Sequence, residues 1–187
     1  MQGPTDQKRK KIVHDFAKWT ALSALRSGSP LKSAERIYDL IENHADLPVL
    51  FDPARAIDEI EFDRWHEKTI IAFCKAEPEL PVGWAAKIVN VYLKTRVYLA
   101  GEGREGLVSV IHPPIDNGLQ RGLKKEFPNR PWKIKRIKDI HSYQDDYLPF
   151  IQDCRSLAKG KGCLLIELEA YWLGAGDGRV AGFRFGE

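Results

Sequence analysis

The chain has 187 residues, 43% of them hydrophobic and 29% charged. This ordinary globular composition excludes a largely disordered, collagen-like or low-complexity protein. Twenty-nine Lys and Arg against 26 Asp and Glu leave a net charge of +3, too mild either to demand or to exclude a polyanionic partner. No apolar run approaches the roughly 20 residues of a membrane span, and the basic start MQGPTDQKRKK lacks the apolar stretch of a secretory signal. Cys74, Cys154 and Cys163 form no C-x-x-C pair, which predicts a reducing, cytoplasmic setting without a disulfide framework or zinc ribbon.

In chain order the pattern is helical almost throughout. Residues 9–26 repeat Ile12, Val13, Phe16, Thr20 and Ala24 at helical spacing until Gly28, Ser29 and Pro30 stop it. A second helix is expected over 31–43, with Ala34, Ile37, Tyr38 and Ile41 on one side. Residues 47–53 read as a loop, although Asp52-Pro53 has the form of an N-cap and first helical residue. A third helix is expected over about 58–75, lined by Phe62, Trp65, Thr69 and Phe73. The most apolar helix, 83–100, ends at Gly101, Gly103 and Gly106.

Beyond those glycines a short helix is expected over 107–111. His112-Pro113-Pro114 then imposes extended backbone, and Asp116 can cap a helix running through Lys125. Residues 128–140 read as irregular. Ser142 and Asp145 resemble a capping box opening a helix to about Lys159, which Pro149 should kink or split. A last helix is expected over 163–173, with Leu164, Leu165, Leu168 and Trp172 inward. The expectation is an all-α single domain over 1–173, followed by a Gly-rich tail over 174–187.

On a helical wheel at ~100° per residue, Gly83, Lys87, Asn90, Lys94 and Tyr98 form one narrow polar stripe on an otherwise apolar helix. In one reading the stripe faces water and its lysines snorkel. In the other it faces a cleft. A lysine held there is neutralised more readily, because desolvation disfavours an ammonium, and a neutral amine can form a Schiff base. A second charge feature lies at 124–138, where seven basic residues accompany one acid around Trp132. Lys124, Lys125, Arg130, Lys133, Lys135 and Arg136 are candidates for phosphate contacts there, or a solvated face. The stretch 39–63 is acidic by contrast.

Leu80-Pro81-Val82-Gly83, followed by Lys87-Ile88-Val89-Asn90-Val91-Tyr92-Leu93, resembles the core of the helix-hairpin-helix DNA glycosylases. The endonuclease III branch of that family reads L-P-G-V-G and then K-T-A-N-V-V-L. The spacing from Lys87 to His112-Pro113-Pro114-Ile115-Asp116 is similar to the archaeal 8-oxoguanine glycosylase branch, with its P-x-P-x-D segment. The same stretch resembles still more closely a group of bacterial proteins with a G-x-A-x-K-x-x-N-x-x-L-K helix followed by P-x-D, a likeness that implies no activity. Here the hairpin is one residue shorter than in the glycosylases, and three residues separate Gly83 from Lys87. No four-cysteine cluster follows, and Gly118 stands where the family often has His or Arg. The match covers only about 80–123.

The resemblance implies a compact bundle of about six to seven helices with a glycosylase-like core, DNA as partner, and base-excision chemistry in DNA repair. Lys87 would attack the anomeric carbon and Asp116 would stabilise the developing positive charge. Trp84, Tyr92 or Tyr98 would stack on an extruded base and Asn90 would bond its edge. Lys94 and His112 complete the expected substrate pocket. The alternative is a non-enzymatic helical protein that binds protein or nucleic acid.

Other candidates are weaker. His112 has the position of a proton shuttle, or of a loop histidine held by a backbone carbonyl. His14, His44, His66 and His141 lack metal-ligand spacing, although Asp63 and Glu67 lie near His66, so neither a metal nor a cofactor is expected. Gly101–Gly106 follows a helix and contains acids, unlike a phosphate-cradling loop. Asp145 and Asp146 read as first-turn acids. Glu167 and Glu169 should not share a face of an α-helix.

Overall fold

The computed structural model describes residues 4–25, 28–53, 55–133 and 135–174. The Gly-rich tail expected from 174 lies, from 175 onward, outside the described residues, as does Arg26. The fold is all-α, and no described residue is in a strand. The principal helices are α1 (Pro4–Leu25), α2 (Ala34–Asp39), α3 (Pro48–Phe51), α4 (Glu59–Ala76), α5 (Val82–Leu93), α6 (Leu107–Val110), α7 (Asn117–Glu126) and α8 (Leu148–Lys161). Three π-helical stretches adjoin them: Leu40–His44 after α2, Lys94–Leu99 after α5, and Tyr143–Tyr147 before α8. Two 3₁₀ turns, Ile137–Asp139 and Leu165–Tyr171, complete the chain. No described helix is long and apolar enough to cross a membrane.

α5 is the axis of the molecule. Every residue from Val82 to Leu93 is buried, as its nearly all-round apolar sequence requires. Pro81 precedes it in extended geometry. Gly83 has a steric reason: a Cβ there would lie 2.2 Å from the Ile137 carbonyl oxygen, because the 137–140 turn crosses the start of α5 and Ile140 O accepts from Gly83 N at 3.1 Å. α1 packs along α5 through Ala17 and Ala21, both fully buried. His14 Nδ1 meets Tyr92 Oη at 2.8 Å, and Thr20 Oγ1 meets Thr95 Oγ1 at 2.9 Å. Three large apolar residues of α1 lie elsewhere: Ile12, Phe16 and Trp19 are exposed, while Leu25 at its end joins the core. Small residues permit the close approach of two helices, so the alanine face won the core.

α4 buries Phe62, Trp65, Thr69 and Phe73 as its periodicity predicts, with His66 and Ile70 beside them. Asp58 caps it, accepting from Glu61 N at 2.8 Å. The expected loop 47–53 contains the single turn α3, while Asp52-Pro53 opens no helix. The expected helix over 142–159 is split next to Pro149, into the π-helical stretch Tyr143–Tyr147 and α8. Pro149 sits in the first turn of α8, where a missing N–H costs nothing. The expected helix over 163–173 is a 3₁₀ turn: Leu165 and Leu168 are buried, but Trp172 is 40% exposed. Gly106, at φ 82°, turns the chain so that Arg104 reaches inward. There its guanidinium donates to Val49 O (3.1 Å), Arg55 O (2.7 Å) and Glu61 Oε1 (2.7 Å).

Candidate functional site

Lys87 and Asp116 meet where α5 passes the start of α7. Lys87 Nζ donates to Asp116 Oδ2 at 2.9 Å. Asp116 is the N-cap of α7: its Oδ1 accepts from Gly118 N at 2.8 Å and Leu119 N at 3.1 Å. Trp172 Nε1 donates to the same oxygen at 2.8 Å. The side chains of Lys87 and Asp116 are 10% and 18% exposed, a nearly enclosed ion pair with a narrow opening. Burial raises the Asp116 carboxyl, but the Lys87 ammonium and the N–H groups of Leu119 and Trp172 outweigh it and hold the group below the ordinary aspartate value. Chemically, the contact gives a path for a proton from the ammonium to the carboxylate, a transfer that the lowering of Asp116 opposes and that would release a nucleophilic amine.

The covering segment fits α7 because α7 has glycines beneath it. A Cβ on Gly122 would stand 1.6 Å from Tyr171 O, and one on Gly118 would stand 2.3 Å from Trp172 Nε1. Leu173 N donates to Gly118 O at 3.2 Å. The residues 171–173 thus lie directly on the helix that Asp116 caps.

The polar stripe of α5 divides. Lys94 and Tyr98 face the 165–171 turn rather than Lys87. Lys94 Nζ donates to Glu169 Oε1 at 2.7 Å and Tyr98 Oη to Glu167 Oε1 at 3.2 Å. These four side chains and Trp172 border a cavity of about 600 Å³. Glu167 and Glu169 therefore serve one surface after all, because their turn is not an α-helix. Trp84 is buried, with its ring centroid 5.6 Å from Lys87 Nζ. Tyr92 is buried between His14 and Arg96. Neither ring faces an opening onto which a base could be laid.

Asn90 and His112, expected in a substrate pocket, are instead sealed in the core at 0% exposure. Pro113 O can only accept, so the Asn90 amide nitrogen faces it at 3.1 Å, and this turns Asn90 Oδ1 toward His66. Asn90 Nδ2 also donates to Tyr147 Oη at 2.9 Å. Tyr147 Oη and His112 Nδ1 meet at 3.0 Å, and His112 Nε2 lies 3.0 Å from Asp63 Oδ1 and 3.1 Å from Arg155 Nη2. On the other side Asn90 Oδ1 accepts from His66 Nε2 at 2.9 Å, and His66 Nδ1 accepts from Tyr143 Oη at 3.0 Å. Arg155 closes the chain with a bidentate bond to Asp63, at 2.8 and 2.7 Å.

Desolvation lowers both histidines, His66 strongly, so both rings are neutral. Burial pushes Asp63 up, but His112 and Arg155 prevail and hold it well below the usual carboxylate range. Sequence reasoning missed this network, whose only local trace is Asp63 and His66 one turn apart on α4. Its task is mechanical: Asn90, on α5, grips the carbonyl of Pro113 and so holds the 112–116 segment that carries Asp116 against Lys87. Both nitrogens of each ring are engaged, and no cluster of His, Cys, Asp and Glu among the described residues could hold a metal ion.

The basic run folds back beside α7. Gln120 Nε2 donates to Lys135 O at 2.8 Å, joining helix and loop around a groove of about 820 Å³ that begins at Asn117, next to Asp116. Lys124, Arg130 and Arg136 line it, together with Arg121 and Trp132. Arg121 was not among the expected residues. It precedes the basic run in sequence and joins it only through the helix. Lys125 and Lys133 are exposed outside the groove lining, and Lys135 is tied to Asp146. No family model matches the chain, and no curated protein and no solved structure matches it.

Proposed function

We propose that the protein processes DNA, with Lys87 and Asp116 as the reacting pair of a glycosylase or lyase reaction. The observation that carries this reading is the 2.9 Å contact between an ammonium and a carboxylate that are 29 positions apart in sequence, in a nearly enclosed setting beside a basic groove. Asp116 takes a proton from Lys87. The freed amine attacks C1′ of a damaged nucleoside as the C1′–N bond breaks, and the base leaves with the bonding electrons and takes the proton that Asp116 holds, which returns Asp116 to a carboxylate. Asp116 then faces the positive charge on the sugar. The likeness of the 80–93 segment to the helix-hairpin-helix glycosylases supports the same chemistry. Three free cysteines support a reducing, cytoplasmic setting.

Borohydride added during reaction with damaged duplex tests this, because an amine on C1′ passes through a reducible imine. Wild type should give a covalent protein–DNA adduct, and Lys87→Ala should give none. Lys75→Ala, on the exposed end of α4, should trap normally. Asp116→Asn should slow trapping while keeping an oxygen for the cap. Equal trapping by Lys87→Ala would move the nucleophile elsewhere.

A second reading, a helical binding protein without catalysis, is favoured by one observation. Both Asp116 oxygens already have partners in the two backbone N–H groups, Trp172 and Lys87, so the pair is complete as a brace. Absence of both trapping and base release across a panel of lesions would establish that reading.

A further inference from the structure

We infer that the groove between α7 and the 128–136 loop is a binding track for single-stranded nucleic acid. Phosphates would be held by Arg121, Lys124, Arg130 and Arg136, and an unpaired base would stack at Trp132. The charge pattern comes first. Of these four cations only Arg136 has a carboxylate partner among the described residues, at Asp139. Arg121 reaches the backbone oxygens of Asn117 and Leu173, and Arg130 reaches Ser156 Oγ at 3.1 Å. Among the described residues no acidic side chain lines the groove. Uncompensated like charges around one concavity repel one another and attract a polyanion, whose counterions are released on binding.

The shape comes second. The indole of Trp132 is fixed rather than loose: its Nε1 donates to Phe127 O at 3.1 Å, and its ring packs on Phe150 with centroids 5.8 Å apart. The Arg130 guanidinium lies 5.5 Å from the same indole. A fixed aromatic beside an arginine in a cationic groove is the arrangement that holds unpaired bases by stacking and backbone by charge, without reading sequence. Paired bases inside a duplex cannot reach the indole, so the strand must be single.

The assignment rests on the nucleic-acid reading above for its choice of polynucleotide among polyanions, but not on the chemistry at Lys87. If trapping fails and groove binding holds, the chemistry falls and the track stands. If trapping holds and groove variants bind normally, only the track falls.

The test is fluorescence anisotropy with a short labelled oligothymidylate, the duplex of equal length, and inorganic polyphosphate as competitor. Single strand should bind more tightly than duplex. Its affinity should fall roughly twentyfold between about 50 and 200 mM salt if three phosphates are neutralised. Lys124→Glu with Arg130→Glu should weaken it about tenfold or more. Lys32→Glu with Lys75→Glu, the same change in net charge at exposed positions elsewhere, should not. Trp132→Leu should cost about fivefold or more through lost stacking, with circular dichroism verifying the fold. Failure to bind single strand at low salt overturns the proposal. So does duplex binding as tight as single strand, an unchanged affinity in folded Trp132→Leu, or polyphosphate competing as well as unlabelled oligonucleotide at equal phosphate.

Discussion

Lys87 and Asn90 lie one turn apart on α5, yet the polar clusters around them are built differently. Around Asn90, side chains from α4, α5, α8, the 112–116 segment and the Tyr143–Tyr147 stretch form a closed chain of hydrogen bonds from Tyr143 to Asp63, with both histidines fully buried. Around Lys87, one ion pair sits under a single short segment and keeps a small opening. A buried polar network is costly wherever a member lacks its partner, so the first cluster tolerates little change. The second can lose a member and keep its fold, as a site that exchanges partners must.

Three changes test that contrast, from the largest effect to the smallest. Asn90→Leu strips partners from His66, Tyr147 and Pro113 O at once, and buried groups left unpaired cost about 1–3 kcal/mol each. A loss of about 4 kcal/mol in urea unfolding is expected. A loss below about 1 kcal/mol would show that the network does not hold the 112–116 segment. Lys87→Met removes the counter-charge of a nearly enclosed carboxylate, which costs about 3–5 kcal/mol when the site is sealed. The two backbone donors, Trp172 and the 18% exposure of Asp116 hold the expected loss to about 2 kcal/mol in the same measurement. A larger loss than that of Asn90→Leu would invert the comparison.

The third test is a slope with pH. His66 and His112 have folded pKa values below 6.5, so the unfolded chain binds protons that the folded chain refuses. Stability should therefore fall as pH drops through 6.5, and half-buried His14, also lowered mainly by desolvation, adds in the same direction. Asp63 and Asp116 are lowered carboxylates. Their contribution is present above 3.8 and is lost as pH falls through the still lower folded values. The upper window thus reports on the sealed network together with His14, and not on the Lys87–Asp116 pair. A urea midpoint constant between about pH 7 and pH 5 would contradict neutral buried histidines.

Helix positions were legible because α4 and α5 carry clear periodicity and α7 and α8 follow the start signals at Asp116 and Ser142. The wheel also placed Lys87, Asn90, Lys94 and Tyr98 on one stripe, but an angle says nothing of what covers it. The 112–116 segment and the tyrosines beside α8 cover Asn90, while the 165–171 turn covers Lys94 and Tyr98. These are long-range packings without a local signature. Trp172 was misplaced for a related reason: a 3₁₀ turn advances about a third of a revolution per residue, so a pattern fitted at α-helical pitch points its last ring the wrong way. On α1 the bulky residues advertised a core face that belongs to Ala17 and Ala21.

The π-helical stretch Lys94–Leu99 has a consequence for how this chain tolerates changes in length. A π turn holds one residue more than an α turn. Deleting a residue there can return the backbone to α geometry and leave the flanking segments in register. The same deletion within Val82–Leu93 would swing every later side chain by about 100° and pull Lys87 or Asn90 from its partners. Lineages that shorten this helix should therefore do so after Leu93, at the cost of the meeting of Lys94 and Tyr98 with Glu169 and Glu167 and of the packing of Thr95 and Val97, while Lys87 and Asn90 keep their partners.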